Sequence, residues 1–209
     1  DDKHRDWVID YVDAWMQRTD DNGGIIPSNI GLDGTIGGAA DGNWWGGCYG
    51  WGFTVTVPQT GQKANRPACY SRAHYGFGHG LLLTGDTSYV DTWRGVLDRV
   101  NENAKQENGK TVYPHMHGAD GWYDFRPHPF SPGAHDIWYW SQSDSDRQRI
   151  AGDKWVQFLE GDNPSYPEDE LERGLNQVRD RMSRMAADDT APDTRLSDDM
   201  NSINPATIE

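Results

Sequence analysis

This chain alternates between stretches whose apolar residues recur at helical spacing and long stretches in which no period is visible, and that alternation limits the folds open to it. The first periodic stretch is residues 5–18. Trp7, Val8, Tyr11, Val12 and Trp15 fall at steps of three and four, while Asp6, Asp10, Asp13 and Gln17 take the other faces. Thr19-Asp20-Asp21-Asn22-Gly23-Gly24 then stops the helix. Residues 25–67 are rich in glycine and almost without period; only Phe53-Thr54-Val55-Thr56-Val57 reads as a short strand. Loops of this length inside a compact domain are uncommon and tend to be functional.

Helical character returns over 68–83, although Gly76, Gly78 and Gly80 each weaken it by roughly 1 kcal/mol relative to Ala. Close approach of another backbone or of a ligand is their expected use. Thr84-Gly85-Asp86 makes a turn, and Tyr89, Val90, Trp93, Val96, Leu97 and Val100 form the next stripe. So short a link sets the two helices antiparallel, as a helical hairpin. A second loop-rich stretch runs over 108–133, followed by a short helix over 134–141 and a longer one over 144–160. The last helix is expected over 167–187, with Pro167, Glu168, Asp169 and Glu170 in its first turn. Leu171, Leu175, Val178, Met182 and Met185 are its expected buried face. The architecture is therefore mainly α with little β: a helical domain over 1–187 and an Asp-, Asn- and Pro-rich tail over 188–209.

Hydrophobic residues make up only 35% of the 209, so ten Trp and nine Tyr must both pack the core and line any functional surface. The net charge of −14 argues against nucleic acid and against an anionic membrane surface as partners. Such a carboxylate density serves solubility, and it also suits a saline environment. No apolar run is long enough to span a bilayer, and no signal-peptide pattern opens the sequence, so any export signal was removed or never present. Cys48 and Cys69 are the only cysteines, and two are too few to choose between a disulfide and separate thiols.

Four groups of residues could carry chemistry. In the Gly- and aromatic-rich stretch, Asn43, Trp44, Trp45, Tyr49 and Trp51 offer flat faces for sugar rings, with glycines that let backbone amides approach; they could equally plug one end of the core. The segment from His115 to Asp124 sets His115, His117, Asp120, Trp122, Tyr123 and Asp124 within ten residues, and His and Tyr can serve as base and acid in proton abstraction. His115-Met116-His117 is too unspecific a metal pattern without a third ligand, so neither metal nor cofactor is expected. Tyr70 and His74 stand four residues apart and could share a hydrogen-bond network or reach a cleft. Arg126, with His128, His135 and Asp136 beyond it, could pair a substrate carboxylate or Asp124. There is no Gly-x-Ser-x-Gly elbow and no P-loop, and Asp144-Ser145-Asp146 does not continue as a calcium loop.

Trp44-Trp45-Gly46-Gly47, Tyr49-Gly50-Trp51-Gly52, the hairpin around Leu81-Leu82-Leu83-Thr84-Gly85-Asp86, and Gly121-Trp122-Tyr123-Asp124 give a layout that resembles the (α/α) toroids of six-hairpin carbohydrate-active enzymes. The resemblance implies helical hairpins joined by long aromatic loops, a carbohydrate polymer or oligosaccharide as partner, and an extracellular or periplasmic setting. The leading expectation is eliminative cleavage of a uronate-containing glycan, with His117 as base, Tyr123 as acid, and Arg126 or Asn43 neutralising the carboxylate. Hydrolysis by paired carboxylates among Asp33, Asp41, Asp120, Asp124 and Asp136 is the alternative, at separations of about 5–5.5 or 6.5–9.5 Å. A non-catalytic glycan-binding or assembly subunit is the third. The chain supplies only about half the helices of a complete ring, so a second chain, another copy or a continuation of itself is expected to cover the open flanks.

Overall fold

In the computed structural model the expected stripes become helices, and among the described residues the strands form three separate two-stranded sheets. The structure describes residues 2–56, 63–65, 67 and 69–187. The tail over 188–209 and the end of the expected strand at Val57 lie outside them. The chain forms two compact units, Asp1–Arg149 and Ile150–Glu209, where the sequence reading has one helical domain over 1–187.

In the first unit, α1 (Asp2–Asp21) runs beyond the expected 5–18 at both ends. Gly24 ends it at φ 84°, a left-handed conformation in which its N–H reaches the Thr19 carbonyl at 2.9 Å. Helix α2 (His74–Thr84) begins later than 68, because residues 69–73 are wound into turns. Gly85 caps it at φ 77° and returns its N–H to the Leu81 carbonyl. Helix α3 (Ser88–Asn101) packs on α2 as the expected hairpin, and α1 packs on both. Two of the α2 glycines make room for rings of the neighbouring helices, Gly80 for α3 and Gly78 for the helix over Ala134–Ser141. A Cβ on Gly80 would lie 2.5 Å from the Tyr89 ring, and one on Gly78 would lie 2.3 Å from Trp140.

The aromatic loops are pinned by hairpins, of which the sequence pattern shows only the first strand, within Phe53–Val57. Strands β1 (Thr54–Thr56) and β2 (Lys63–Asn65) pair antiparallel, as do β3 (Lys105–Glu107) with β4 (Lys110–Val112) and β5 (Met116–Gly118) with β6 (Gly121–Tyr123). Two of these pairs fall wholly or partly in the expected loop over 108–133. The β3–β4 turn is Asn108-Gly109, both at positive φ (51° and 73°), the pair that a tight hairpin turn demands. Helix α4 (Ala134–Ser141) stands where expected, whereas the helix expected over 144–160 is broken into α5 (Asp144–Arg149) and α6 (Lys154–Leu159). The break has a chemical cause: Asp153 takes an extended backbone and accepts from the N–H groups of Trp155 and Val156, starting a new helix.

The core of the first unit is built on α3, whose Val90, Trp93, Val96 and Val100 are wholly buried, together with Phe77, Ile137, Trp51, Phe130 and Met116. An ion cluster around the buried Asp146 ties α3 to α5. Arg94 donates through Nε and Nη2 to Asp146 at 2.9 and 2.5 Å, Ser141 Oγ donates to the same carboxylate at 2.6 Å, and Arg149 holds Asp98. In the second unit α6 meets α7 (Tyr166–Ala187), with Phe158 stacked on Tyr166 at 5.9 Å. The expected buried face of α7 is corrected here. Gly174 is buried, while Leu171, Leu175 and Met182 are 52%, 41% and 65% exposed.

Candidate functional site

Trp51 organises the aromatic stretch from inside. It is fully buried, its indole N–H donates to the Ile26 carbonyl at 2.8 Å, and its ring lies 4.8–5.7 Å from Tyr70, Phe130 and Trp122. The expectation that Trp51 touches a ligand is therefore corrected: it is core. Its carbonyl accepts from the His117 N–H at 3.3 Å, which docks the β5–β6 hairpin on the loop. Gly52 permits this approach, since a Cβ there would stand 3.1 Å from both the His117 carbonyl and the Trp45 ring.

The docked hairpin brings His117 among three part-exposed indoles. Ring centroids lie 4.5 Å from Trp44, 4.8 Å from Trp122 and 6.3 Å from Trp45. Its Nδ1 is buried and has no hydrogen-bond partner among the described residues. Burial holds the imidazole pKa below its ordinary value. Both observations favour the neutral ring, because protonation would place a second N–H where no acceptor waits. Such a group is a neutral hydrogen-bonding tip inside an aromatic enclosure.

Not all the expected residues join it. The hairpin register pairs His117 with Trp122 and Met116 with Tyr123, so the pleat sends His117 and Tyr123 to opposite faces. Base and acid of the expected pair are not brought together. His115 is 7% exposed, its Nε2 3.4 Å from the His128 carbonyl, and its pKa is lowered by burial and by the charge of Arg126. Tyr70 donates to the His115 carbonyl at 3.3 Å, and burial and the neighbouring Cys69 push its phenol up to about 12.

Asp124 pairs with Arg126 at 2.6 Å, the second of the roles expected for that arginine, and takes a left-handed φ of 55° to do so. Asp120 stands exposed at the hairpin tip. Asn43 is exposed with its carbonyl taken by Asn29, and Tyr49 is exposed with its ring on Phe53.

His74 is 3% exposed and bonded through Nε2 to Asp136 at 2.8 Å, packed against Tyr75 and Trp93. The expectations that it binds substrate and shares a network with Tyr70 are both corrected, because each ends on a different partner. Asp33 is likewise occupied, accepting from the N–H and hydroxyl of Thr35. Cys48 and Cys69 are free thiols, and burial pushes Cys69 up to about 12. Among the described residues no three His, Cys, Asp or Glu side chains converge as a metal set, and no helix is long and apolar enough to cross a membrane.

A second concavity, absent from the sequence reading, lies along α1 and the start of α2. It is a cleft of about 350 Å³ lined by Tyr11 and Trp15 of α1, by Arg72, Gly76 and Phe77 around the start of α2, and by Ile26.

Fold and site together define a mainly helical protein with an imidazole enclosed by indoles. The chain belongs to the family described as a domain of unknown function (DUF8034), whose model matches residues 1–113 and 151–209. The search of curated proteins and the search of solved structures give no match. The matched segments hold Trp44, Trp45 and the cleft, whereas His117 and Trp122 stand in the stretch between them.

Proposed function

We propose that this protein binds a saccharide, as a polymer or oligosaccharide, at the face formed by Trp44, Trp45 and Trp122 around His117. The observation that carries the reading is the neutral, part-enclosed imidazole set among three indoles. Indole faces stack on the C–H faces of a sugar ring, and a neutral imidazole can donate to or accept from a ring hydroxyl without desolvating a charge. Arg126, the cation nearest in sequence to this hairpin, is paired with Asp124. The α2–α3 hairpin with a long aromatic loop before it also supports kinship in architecture with the (α/α) toroids of carbohydrate-active enzymes.

Binding without cleavage fits this arrangement better than elimination by His117 and Tyr123, which the pleat separates; of the five carboxylates open to a hydrolytic pair, Asp33, Asp124 and Asp136 have internal partners, leaving Asp41 and Asp120. The test is calorimetry, with intrinsic Trp fluorescence, against neutral and uronate oligosaccharides. Binding is expected for at least one of them. Trp44→Ala or Trp122→Ala is expected to weaken it by about tenfold, ~1.4 kcal/mol. Recording the absorbance of 4,5-unsaturated products in the same samples separates binding from elimination. Absence of heat and of any fluorescence change across the panel would remove this reading.

A further inference from the structure

The three glycines of α2 are not equivalent. Gly78 and Gly80 each accept an aromatic ring where a side chain would stand, but a Cβ on Gly76 would meet nothing within 4 Å. A helix interior loses stability at each glycine, so a glycine without a packing partner calls for another explanation. Gly76 lines the cleft of about 350 Å³ beside α1, at the lower end of the roughly 300–1,000 Å³ of small-molecule pockets. Its missing side chain keeps that cleft open.

The lining has one charged group. Tyr11, Trp15 and Phe77 supply aromatic surface, and the half-buried Cys69, its pKa pushed up to about 12, stays a thiol. Arg72 is the exception. It is exposed and makes no side-chain hydrogen bond or ion pair among the described residues, in a protein of net charge −14, whereas Arg94, Arg99, Arg126 and Arg149 each hold a carboxylate. An unpaired guanidinium beside an aromatic slot is complementary to an anion carried on a flat apolar body, and the acidic surface around it disfavours polyanions.

We propose that this cleft is a binding site for a small monoanionic molecule with a flat apolar body, whose ring system lies between Trp15 and the open face of Gly76 and whose carboxylate or equivalent anion is held by Arg72. The site is independent of the saccharide face. No residue of the Trp44, Trp45, Trp122 and His117 group lines it.

The test uses the full chain and two fluorescent probes of one shape: 1-anilinonaphthalene-8-sulfonate, which carries the anion, and N-phenyl-1-naphthylamine, which does not. The folded protein is expected to bind the sulfonate more tightly than the amine, by about tenfold. Arg72→Gln is expected to abolish that preference while leaving the amine's affinity within twofold. Gly76→Leu fills the cleft and is expected to remove both signals. Gly76→Ala, too small to fill it, keeps both and controls for the backbone change, while circular dichroism verifies that each variant is folded.

Trp44→Ala is expected to leave both probes unaffected, so failure of the saccharide reading and failure of this one are separately visible. A folded Gly76→Leu that binds the sulfonate as before, an Arg72→Gln that still prefers the anion, or a wild-type chain that binds neither probe would overturn the proposal.

Discussion

Helices α3 and α7 carry equally regular apolar stripes, yet the chain treats them in opposite ways. In α3 the stripe of Tyr89, Val90, Trp93, Val96, Leu97 and Val100 is buried throughout, against α1 and α2. In α7 Leu171, Leu175 and Met182 stay open, and the side that is covered carries Gly174 instead. Periodicity thus reports that a helix has a face to bury, not that the same chain supplies the surface that covers it. What distinguishes the two is the composition around them. Helix α3 carries three Val and a Trp on its buried side, follows a tight turn that forces a partner onto it, and anchors its half-buried Arg94 with a carboxylate from α5. Helix α7 is long, charged on most faces, and within its unit meets the short α6.

The largest effects are expected in α3. Trp93 is wholly buried and its indole N–H donates to the Pro132 carbonyl at 2.9 Å. Trp93→Ala leaves a cavity and an orphaned carbonyl, and is expected to cost about 3–5 kcal/mol in urea unfolding. A cost below ~1 kcal/mol would mean that α3 is not the centre of the core. Next comes its charged side. Asp146→Ala strands Arg94, and roughly 2–3 kcal/mol is expected, short of the ~3–5 of a fully buried pair because Arg94 keeps Asp91. Burial raises the Asp146 pKa, but the hydrogen bonds of Arg94 and Ser141 and the charges of Arg94 and Arg149 outweigh it and leave the value lowered. A lowered carboxyl favours folding above the unfolded value of about 3.9, and that contribution vanishes as pH falls through the folded value. The variant is therefore expected to lose its deficit relative to wild type in acid.

A smaller effect lies where α2 and α4 meet the same core. Burial lowers the His74 pKa even though the hydrogen bond and charge of Asp136 act to raise it. The folded state holds the ring neutral, so its stabilisation is present above the unfolded value of about 6.5 and is lost as pH falls through the folded one. His115 and His117 are lowered by burial as well and act in the same sense. Urea midpoints are expected to fall between about pH 7.5 and about 5, and His74→Gln is expected to flatten part of that slope. A midpoint that rises on acidification would reverse the sign of the argument.

The elements that periodicity could reach, α1, α3, α4 and α7, were legible, and each structural departure has a local chemical cause. Asn108-Gly109 is a hairpin turn in plain view, masked by the polar run on either side of it. Asp153 is a capping residue inside what otherwise scans as one helix. The candidate site was legible in composition but not in facing. Trp44, Trp45, His117 and Trp122 were all named, yet register alone decides that Tyr123 turns away from them, and register depends on where the hairpin turns. Burial sorted the remaining aromatics, since nothing in Trp44-Trp45-Gly46-Gly47-Cys48-Tyr49-Gly50-Trp51 distinguishes the ring that is core from those that are not. The cleft had no signature at all: only the third dimension separates Gly76 from Gly78 and Gly80.

The smallest effect on the fold, and the sharpest on the comparison, is expected in α7. Leu171, Leu175, Val178 and Met182 follow one another at steps of four, three and four, the spacing of a seam between paired helices. With three of these four exposed, substituting them removes little that the chain itself buries. Leu171→Gln with Leu175→Gln and Met182→Gln is expected to change the unfolding free energy of the isolated chain by no more than ~0.5 kcal/mol per site. The consequence should appear in mass instead. An exposed stripe of Leu171, Leu175 and Met182 at seam spacing is suited to pairing with a second copy, and the acidic surface favours a contact that is apolar at its centre. Size exclusion with light scattering is expected to give the wild-type chain a mass above that of one copy and the triple variant the mass of one. A wild-type chain that runs as a monomer at every concentration would mean that α7 carries its stripe uncovered, and the contrast with α3 would then be one of composition alone.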